Sequence, residues 1–233
     1  MNNVNNINKA NNSEKIKFVD IDAIYKILKK EVANYNVPVV DLIKIQTNDP
    51  AKVLIATILS ARTKDQTTVS ACKKLFARIH EIKDLEKLSI KEIEQLIYPV
   101  GFYHTKAKHL QLLPKVLRDE FAGNIPETVE ELIKLPGVGR KTANLVVAVG
   151  FQKPGMCVDV HVNRIANRLG YVKTKNPFET EMALRKKLPL KYWEKINSML
   201  VAFGQNTCTP ISPWCSRCPI IQYCNRIGVE SSR

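Results

Sequence analysis

No window of the chain approaches the ~20 uninterrupted apolar residues that a bilayer span needs, so no membrane partner is expected. The opening residues, MNNVNNINKANNSEK, have no apolar core and no Arg-rich character, which excludes a secretory signal and a transit peptide. An intracellular protein is the expectation, in the cytoplasm or nucleoid of a prokaryote or the nucleus of a eukaryote. In that reducing setting the six cysteines are not expected to form a disulfide framework. No alternating apolar pattern of useful strand length occurs, and no internal repeat beyond helix–turn–helix similarity. Acidic residues are also scarce: 22 against 36 basic ones, a net charge of +14. Between Lys134 and Lys191 there are 12 Lys or Arg and only 3 Asp or Glu. A basic excess concentrated in one region points to a polyanionic partner.

What remains is helix. Hydrophobic content is 45% in 233 residues, enough to bury a core in one or two domains. Residues 1–14, rich in Asn, are expected to be a disordered tail. Ile21, Ile24, Tyr25, Leu28 and Val32 recur at helical spacing, with Pro38 closing or following that helix. Asp49-Pro50 is a cap and first-turn pair launching AKVLIATILSA, apolar nearly all round and therefore a buried central helix. After the polar link Ser60 to Asp65, an amphipathic helix is expected over 66–79. Ser89 and Glu92 form a capping box for a short helix ending at Ile97. Pro99 to Tyr103 is a turn, and a helix containing Pro114 follows from about Thr105 to Phe121. Pro126-Glu127 is the expected start of the next helix. Asp159 is placed to cap a helix reaching Leu169, and Asn176-Pro177 one reaching about Leu188. A last long helix is expected over 191–205. The fold class is all-α.

The segment 134–161 organises the rest: KLPGVGRKTANLVVAVGFQKPGMCVDVH. Pro136 stops one helix, because it disfavours a helical residue before it. Gly137 and Gly139 can take positive φ and admit a close backbone. A second helix begins at about Arg140 and runs apolar through Val149, with Gly150 as its stop. The turn presents free N–H groups beside a helix N-terminus, an anion site by construction. No GKS or GKT ending follows, so a nucleotide P-loop is disfavoured. With Arg140 and Lys141 beside it, the hairpin suits nucleic-acid phosphate, the alternative being a plain interhelical turn.

Cys208, Cys215, Cys218 and Cys224 give C-x6-C-x2-C-x5-C. Four thiolates within 17 residues suit an iron–sulfur cluster. Structural zinc is the alternative, although it usually takes two short pairs and only one is short here. Cys72 and Cys157 lie outside this set and suit small core positions.

LPGVGRKTAN followed by VDVH, with the four-cysteine spacing, resembles the endonuclease III family of DNA glycosylases over roughly Ile21 to Asn225. The resemblance implies two helical lobes. One is a six-helix lobe over 40–153 holding the helix-hairpin-helix at about 128–150. The other joins 15–39 to 154–233, with a [4Fe–4S] cluster on the loop 208–224. It implies that Lys141 is the nucleophile and Asp159 its partner, across a cleft between the lobes. It also implies that Gly137, Gly139 and Arg140 meet DNA, that Arg62 and Phe102 hold the wedge positions, and that damaged double-stranded DNA is the substrate of a monomer. The implied activity is removal of oxidised pyrimidines followed by β-elimination through a lysine Schiff base. The positive end of the second hairpin helix and desolvation favour the free amine, whereas a close Asp159 favours the ammonium. This balance is open in the sequence.

Three positions depart from the family pattern. Val160 stands where Thr is usual in VDTH, Arg62 where Gln is usual, and the loop 209–214 lacks the usual basic residues, leaving Arg217. Two other functions remain in view. An adenine-mismatch glycosylase would carry Glu where Ala56 falls, and would lack the lysine. A non-enzymatic helix-hairpin-helix module would explain the charge but not Asp159 or the cysteines.

Overall fold

The computed structural model describes residues 16–33, 35 and 49–233. The Asn-rich tail, Pro38 and the expected lobe boundary at residue 40 lie outside them. Among the described residues every regular element is helical. In chain order they are α1 (Ile21–Val32), α2 (Pro50–Ser60), α3 (Asp65–Phe76), α4 (Ile90–Ile97), α5 (Tyr103–Phe121), α6 (Val129–Leu132), α7 (Arg140–Leu145), α8 (Val160–Leu169), α9 (Pro177–Lys187) and α10 (Trp193–Asn206). Short 3-10 turns lie at Ile82–Lys87, Leu190–Tyr192 and Ile221–Tyr223, and a π turn at Val146–Gly150.

Side-chain caps begin most of the longer helices. Asp20 accepts from the Ala23 N–H, Asp49 from Ala51, and Asn176 from Glu179. Ser89 and Glu92 satisfy each other's backbone in a complete capping box. Each such cap stabilises its helix by about 1 kcal/mol.

Several boundaries differ from expectation. The first hairpin helix starts at Val129, capped by the Thr128 side chain on the Glu131 N–H, not at Pro126-Glu127. The second hairpin helix is α-helical only to Leu145, after which the apolar run continues as the π turn. Helix α5 begins two residues early, because Phe102 adopts a left-handed cap at φ 59°. Pro114 is buried inside α5. Helix α3 ends at Phe76, three residues short. Helix α10 starts at Trp193, after the 3-10 turn that takes up Lys191.

Two separate cores form. The first surrounds α2, whose residues Val53 to Leu59 are all buried, and gathers Leu75, Ile93, Leu110 and Val146 from α3, α4, α5 and the π turn. The second gathers Ile24 and Leu28 of α1, Ile165 of α8, Leu184 of α9, and Leu200 and Phe203 of α10. Helix α1 is tied there by Asp22, which accepts from Lys191 Nζ at 2.9 Å and from the Tyr192 hydroxyl. The chain passes from the first core to the second between Val147 and Met156. Helix α7 therefore belongs to one core and α8 to the other.

Candidate active site

Lys141 is the second residue of α7 and its side chain is half exposed. Asp159 is the N-cap of α8, with Oδ1 accepting from the N–H groups of His161 (2.9 Å) and Val162 (3.1 Å). Its other oxygen, Oδ2, accepts from Lys141 Nζ at 2.9 Å. Two residues 18 positions apart thus meet where the two cores face each other. Burial pushes the Asp159 carboxyl up, but the charge and hydrogen bond of Lys141 outweigh it and hold the group below the usual carboxylate range. The close Asp159 that the sequence raised as a condition is present.

The connection is short because it is pressed against α7. A Cβ on Gly155 would lie 2.3 Å from the Asn144 carbonyl oxygen, so only glycine fits. Val160 is 64% exposed, and Asp159 caps α8 by itself, so the hydroxyl missing from VDVH leaves no cap unmade. His161 Nδ1 lies 3.1 Å from Arg164 Nη2, a structural position on the second core.

In the hairpin, Gly137 has φ +78° and a Cβ there would lie 2.7 Å from His109 Nδ1. Gly139 differs from expectation. Its φ is −93°, it serves as the N-cap of α7, and the space around its missing Cβ is open. That space leaves room for another backbone beside the first N–H groups of α7. Arg140 is not free: its guanidinium grips Glu181 through two bonds and stacks on Phe178, 5.0 Å from the ring centroid.

Arg62 and Phe102 lie together, the guanidinium carbon 5.5 Å from the ring centroid. Both are left-handed, at φ 55° and 59°, a conformation costing an L-residue roughly 1 kcal/mol or more. Phe102 is 63% exposed and belongs to no core. What holds the Arg62 loop is Lys106, buried beneath it, while the Gly101 N–H donates to Thr63 Oγ1 at 3.1 Å and ties the Phe102 turn alongside. Lys106 Nζ donates to the carbonyls of Leu59 (2.8 Å) and Ala61 (2.6 Å) and to Thr63 Oγ1 (3.2 Å). Burial pushes its ammonium down to about 8. A depression of about 280 Å³ connects Arg62, Phe102, Lys106 and His109 to Gly137, so the Arg62 and Phe102 loops and the hairpin share one face.

Cys208, Cys215, Cys218 and Cys224 line a single cavity of about 20 Å³. Among the described residues no group of three or more His, Cys, Asp or Glu side chains is set to ligate one metal ion. Four cysteines about one cavity fit a group held by four thiolates, as an iron–sulfur cluster is. Burial, and then the neighbouring sulfurs of Cys224, Cys208 and Cys215, push the Cys218 thiol up to about 12. As thiolates, the form that ligates metal, four sulfurs side by side need compensating cations. Arg168 of α8 supplies one contact, donating to Cys208 Sγ at 3.4 Å and to the carbonyls of Thr209 and Pro210 at 2.7 Å. Arg217 stacks on Trp214 at 4.2 Å.

Sequence reasoning did not find Lys106, His109, Asn144, Glu181 or Arg185. One signal was available: Asn144 is a polar residue in the middle of an apolar helix, and it is fully buried.

A glycine hairpin thus delivers a lysine to a carboxylate at the junction of two helical cores. Residues 55–190 match the family model described as HhH-GPD superfamily base excision DNA repair protein. Over 176 residues the chain is 47% identical to Endonuclease III of Thermotoga maritima, covering 76% of this chain and 83% of the relative. It spans between 47% and 60% of the length of the plant and vertebrate relatives it matches. A solved non-covalent Endonuclease III–DNA complex superposes with a TM-score of 0.72 at 33% identity, over 88% of this chain and 94% of that one. A trapped Endonuclease III–DNA covalent intermediate gives 0.69 at 33% identity, over 88% and 95%. The chain belongs to the endonuclease III family of the HhH-GPD superfamily. It is a DNA glycosylase of base excision repair with DNA as its partner, and no helix among the described residues is long and apolar enough to cross a membrane.

Proposed function

We propose that the protein is a bifunctional glycosylase and abasic-site lyase that removes oxidised pyrimidines from duplex DNA, in the compartment that holds the DNA. The observation that carries this reading is the 2.9 Å pair between Lys141 Nζ and Asp159 Oδ2, which joins a helix of the first core to the cap of a helix of the second. Once unprotonated, the Lys141 amine attacks C1′ of the damaged nucleotide. The C1′–N bond to the base breaks as Nζ bonds C1′, and the base leaves with its electron pair and takes up the proton that Nζ sheds; the C1′–O4′ bond then breaks, O4′ takes up a proton from solvent, and the opened sugar carries a protonated C1′=Nζ imine. The imine acidifies the C2′ proton. Its removal breaks the C3′–O bond and releases the 3′ phosphate, and water then frees Lys141. Asp159 opposes the positive charge that develops on the sugar. Ala56 is buried inside α2, so that position brings no carboxylate to the cleft. Incubation with duplex containing an oxidised thymine and borohydride should trap a covalent adduct. Release of free base without adduct would instead make water the nucleophile.

Reaching the base requires extruding it from the stack. Phe102, exposed and backed by Arg62, is shaped to fill the gap. The hairpin then grips phosphate through backbone N–H groups at Gly137 and Gly139. Gly137→Val would force φ out of the left-handed region and drive a side chain into His109. It should weaken binding to damaged and undamaged duplex alike, since phosphate contacts carry no sequence information. Equal affinity of variant and wild type in fluorescence anisotropy would remove the hairpin from the interface.

The four cysteines of the 208–224 loop would hold a [4Fe–4S] cluster, whose contribution is to fix the loop. Because Arg168 ties that loop to α8, the loop also supports the helix that Asp159 caps. Purified protein should carry about four iron and four sulfide per chain. Cys218→Ser should lower both the metal content and the melting temperature, since ligation and folding are coupled. One zinc and no sulfide in anaerobically prepared protein would refute the assignment.

A further inference from the structure

Glu181 is a carboxylate on α9, in the second core, and its side chain is only 3% exposed. A buried charge is retained at a cost unless it is fully paired. Glu181 accepts three bonds from two arginines. Oε2 accepts from Arg140 Nε at 2.9 Å, and Oε1 from Arg140 Nη2 at 2.8 Å and from Arg185 Nε at 3.0 Å. Burial pushes the carboxyl up, but the bonds from Arg140, Asn144 and Arg185 around it outweigh that and hold it below the ordinary range. It is therefore charged at neutral pH.

The partners lie on both walls of the cleft. Arg140 is the residue before Lys141 and the first of α7. Arg185 passes the contact on: its Nη2 donates to Asn144 Oδ1 at 2.7 Å. That same oxygen accepts the Met156 N–H at 2.8 Å, and Asn144 Nδ2 returns to the Arg140 carbonyl at 3.0 Å. Met156 is three residues before Asp159. One buried carboxylate thus fixes the start of the helix bearing Lys141 and, through a single amide, the segment that ends in Asp159. Phe178 and Trp193 cover the two guanidinium groups, at 5.0 and 5.2 Å, and stiffen them further. Among the described residues, none of these side chains bonds the Asp159 carboxylate, whose partners are Lys141 Nζ and the N–H groups of His161 and Val162.

We propose that Glu181 is a positioning residue for the reaction, setting the separation of Lys141 Nζ from the Asp159 carboxylate through Arg140 and the Arg185–Asn144 bridge. The proposal rests on the reading of Lys141 as nucleophile. It also reassigns Arg140: its guanidinium serves the inter-lobe clamp, while its backbone N–H remains at the hairpin.

The test uses Glu181→Gln and Glu181→Asp in the full chain, assayed in single turnover well below each variant's melting temperature. Three quantities are read: the dissociation constant for duplex with an oxidised pyrimidine, the rate of base release, and the yield of borohydride adduct. Glu181→Gln keeps shape and removes charge. Glu181→Asp keeps charge but withdraws the carboxylate by one methylene. In both, the dissociation constant should stay within about twofold, while base release and adduct formation fall together. A misplacement of about 1 Å costs on the order of 10²-fold. Glu181→Asp should recover most of any loss in melting temperature without recovering the rate, a split that a purely stabilising role does not produce. Wild-type rates in folded Glu181→Gln, or a rate in Glu181→Asp that recovers with its melting temperature, would overturn the proposal alone. Absence of an adduct with the wild-type protein would overturn the Lys141 reading, and this proposal with it.

Discussion

Replacing Lys141 by Gln should abolish borohydride trapping and strand cutting, and slow base release by about 10⁴-fold or more, the scale seen when a nucleophile that acts as part of a unit is removed. DNA affinity should fall little. Lys141 is one of 36 basic residues, and its ammonium is already paired with Asp159. The fold should also survive. The side chain is 51% exposed, so a shorter neutral amide leaves no buried cavity. Gel assays on duplex with an oxidised pyrimidine, with and without borohydride, separate the outcomes. If the variant releases the base at the wild-type rate and fails only to nick, water performs the displacement and the lysine merely finishes the reaction.

The parts of the fold legible in the sequence were those governed by local rules. The caps at Asp49, Ser89, Asp159 and Asn176 are short-range hydrogen-bond arrangements, and each begins the helix it announced. Helix α2 was readable as buried because it is apolar on every face. Boundaries slipped where tertiary packing decided them. The stretch after Leu145 has an unbroken apolar sequence, yet it winds as a π turn next to the close approach of Gly155 to Asn144. Phe102 caps α5 in a left-handed conformation that no local propensity favours, and Lys106 supports the neighbouring Arg62 loop from below.

The candidate site divides along the same line. Lys141 and Asp159 stand in contiguous motifs whose residue types suggest a role before any contact is known. Glu181 does not. Its partner Arg140 lies 41 positions away, and on α9 it is one acidic residue among charged neighbours. Only the fold reveals that it is buried and that two arginines converge on it. Arg140 is the converse case: its place beside a glycine hairpin suggested phosphate, whereas its guanidinium is directed inward at Glu181.

Asp159→Asn should slow base release by about 10³–10⁴-fold, a loss of the size reported for removing the carboxylate of a catalytic unit, while fold and DNA affinity stay near those of the wild type. The reason lies in the two separate duties of the side chain. Oδ1 caps α8 by accepting from His161 and Val162, and an Asn carbonyl does this as well as Asp. Oδ2 faces Lys141, and there the amide removes the negative charge that must oppose the charge on the sugar. Asp159→Ala should cost about 1 kcal/mol more in stability, because the cap goes too. Acid separates the charge from the cap. Since the Asp159 carboxyl is held below its ordinary 3.8, its ionisation contributes stability that is fully present above that value and lost as pH falls through the folded value. The stability gap between wild type and Asp159→Asn in urea melts should therefore be widest near neutrality and close in strong acid. The combined Lys141→Gln and Asp159→Asn variant decides whether the pair acts as a unit. A double variant little slower than Lys141→Gln alone means that the carboxylate works only when the lysine is there to react. A rate reduced by the product of the two single effects means that Asp159 stabilises the sugar independently, and that the 2.9 Å contact belongs to the resting protein rather than to catalysis.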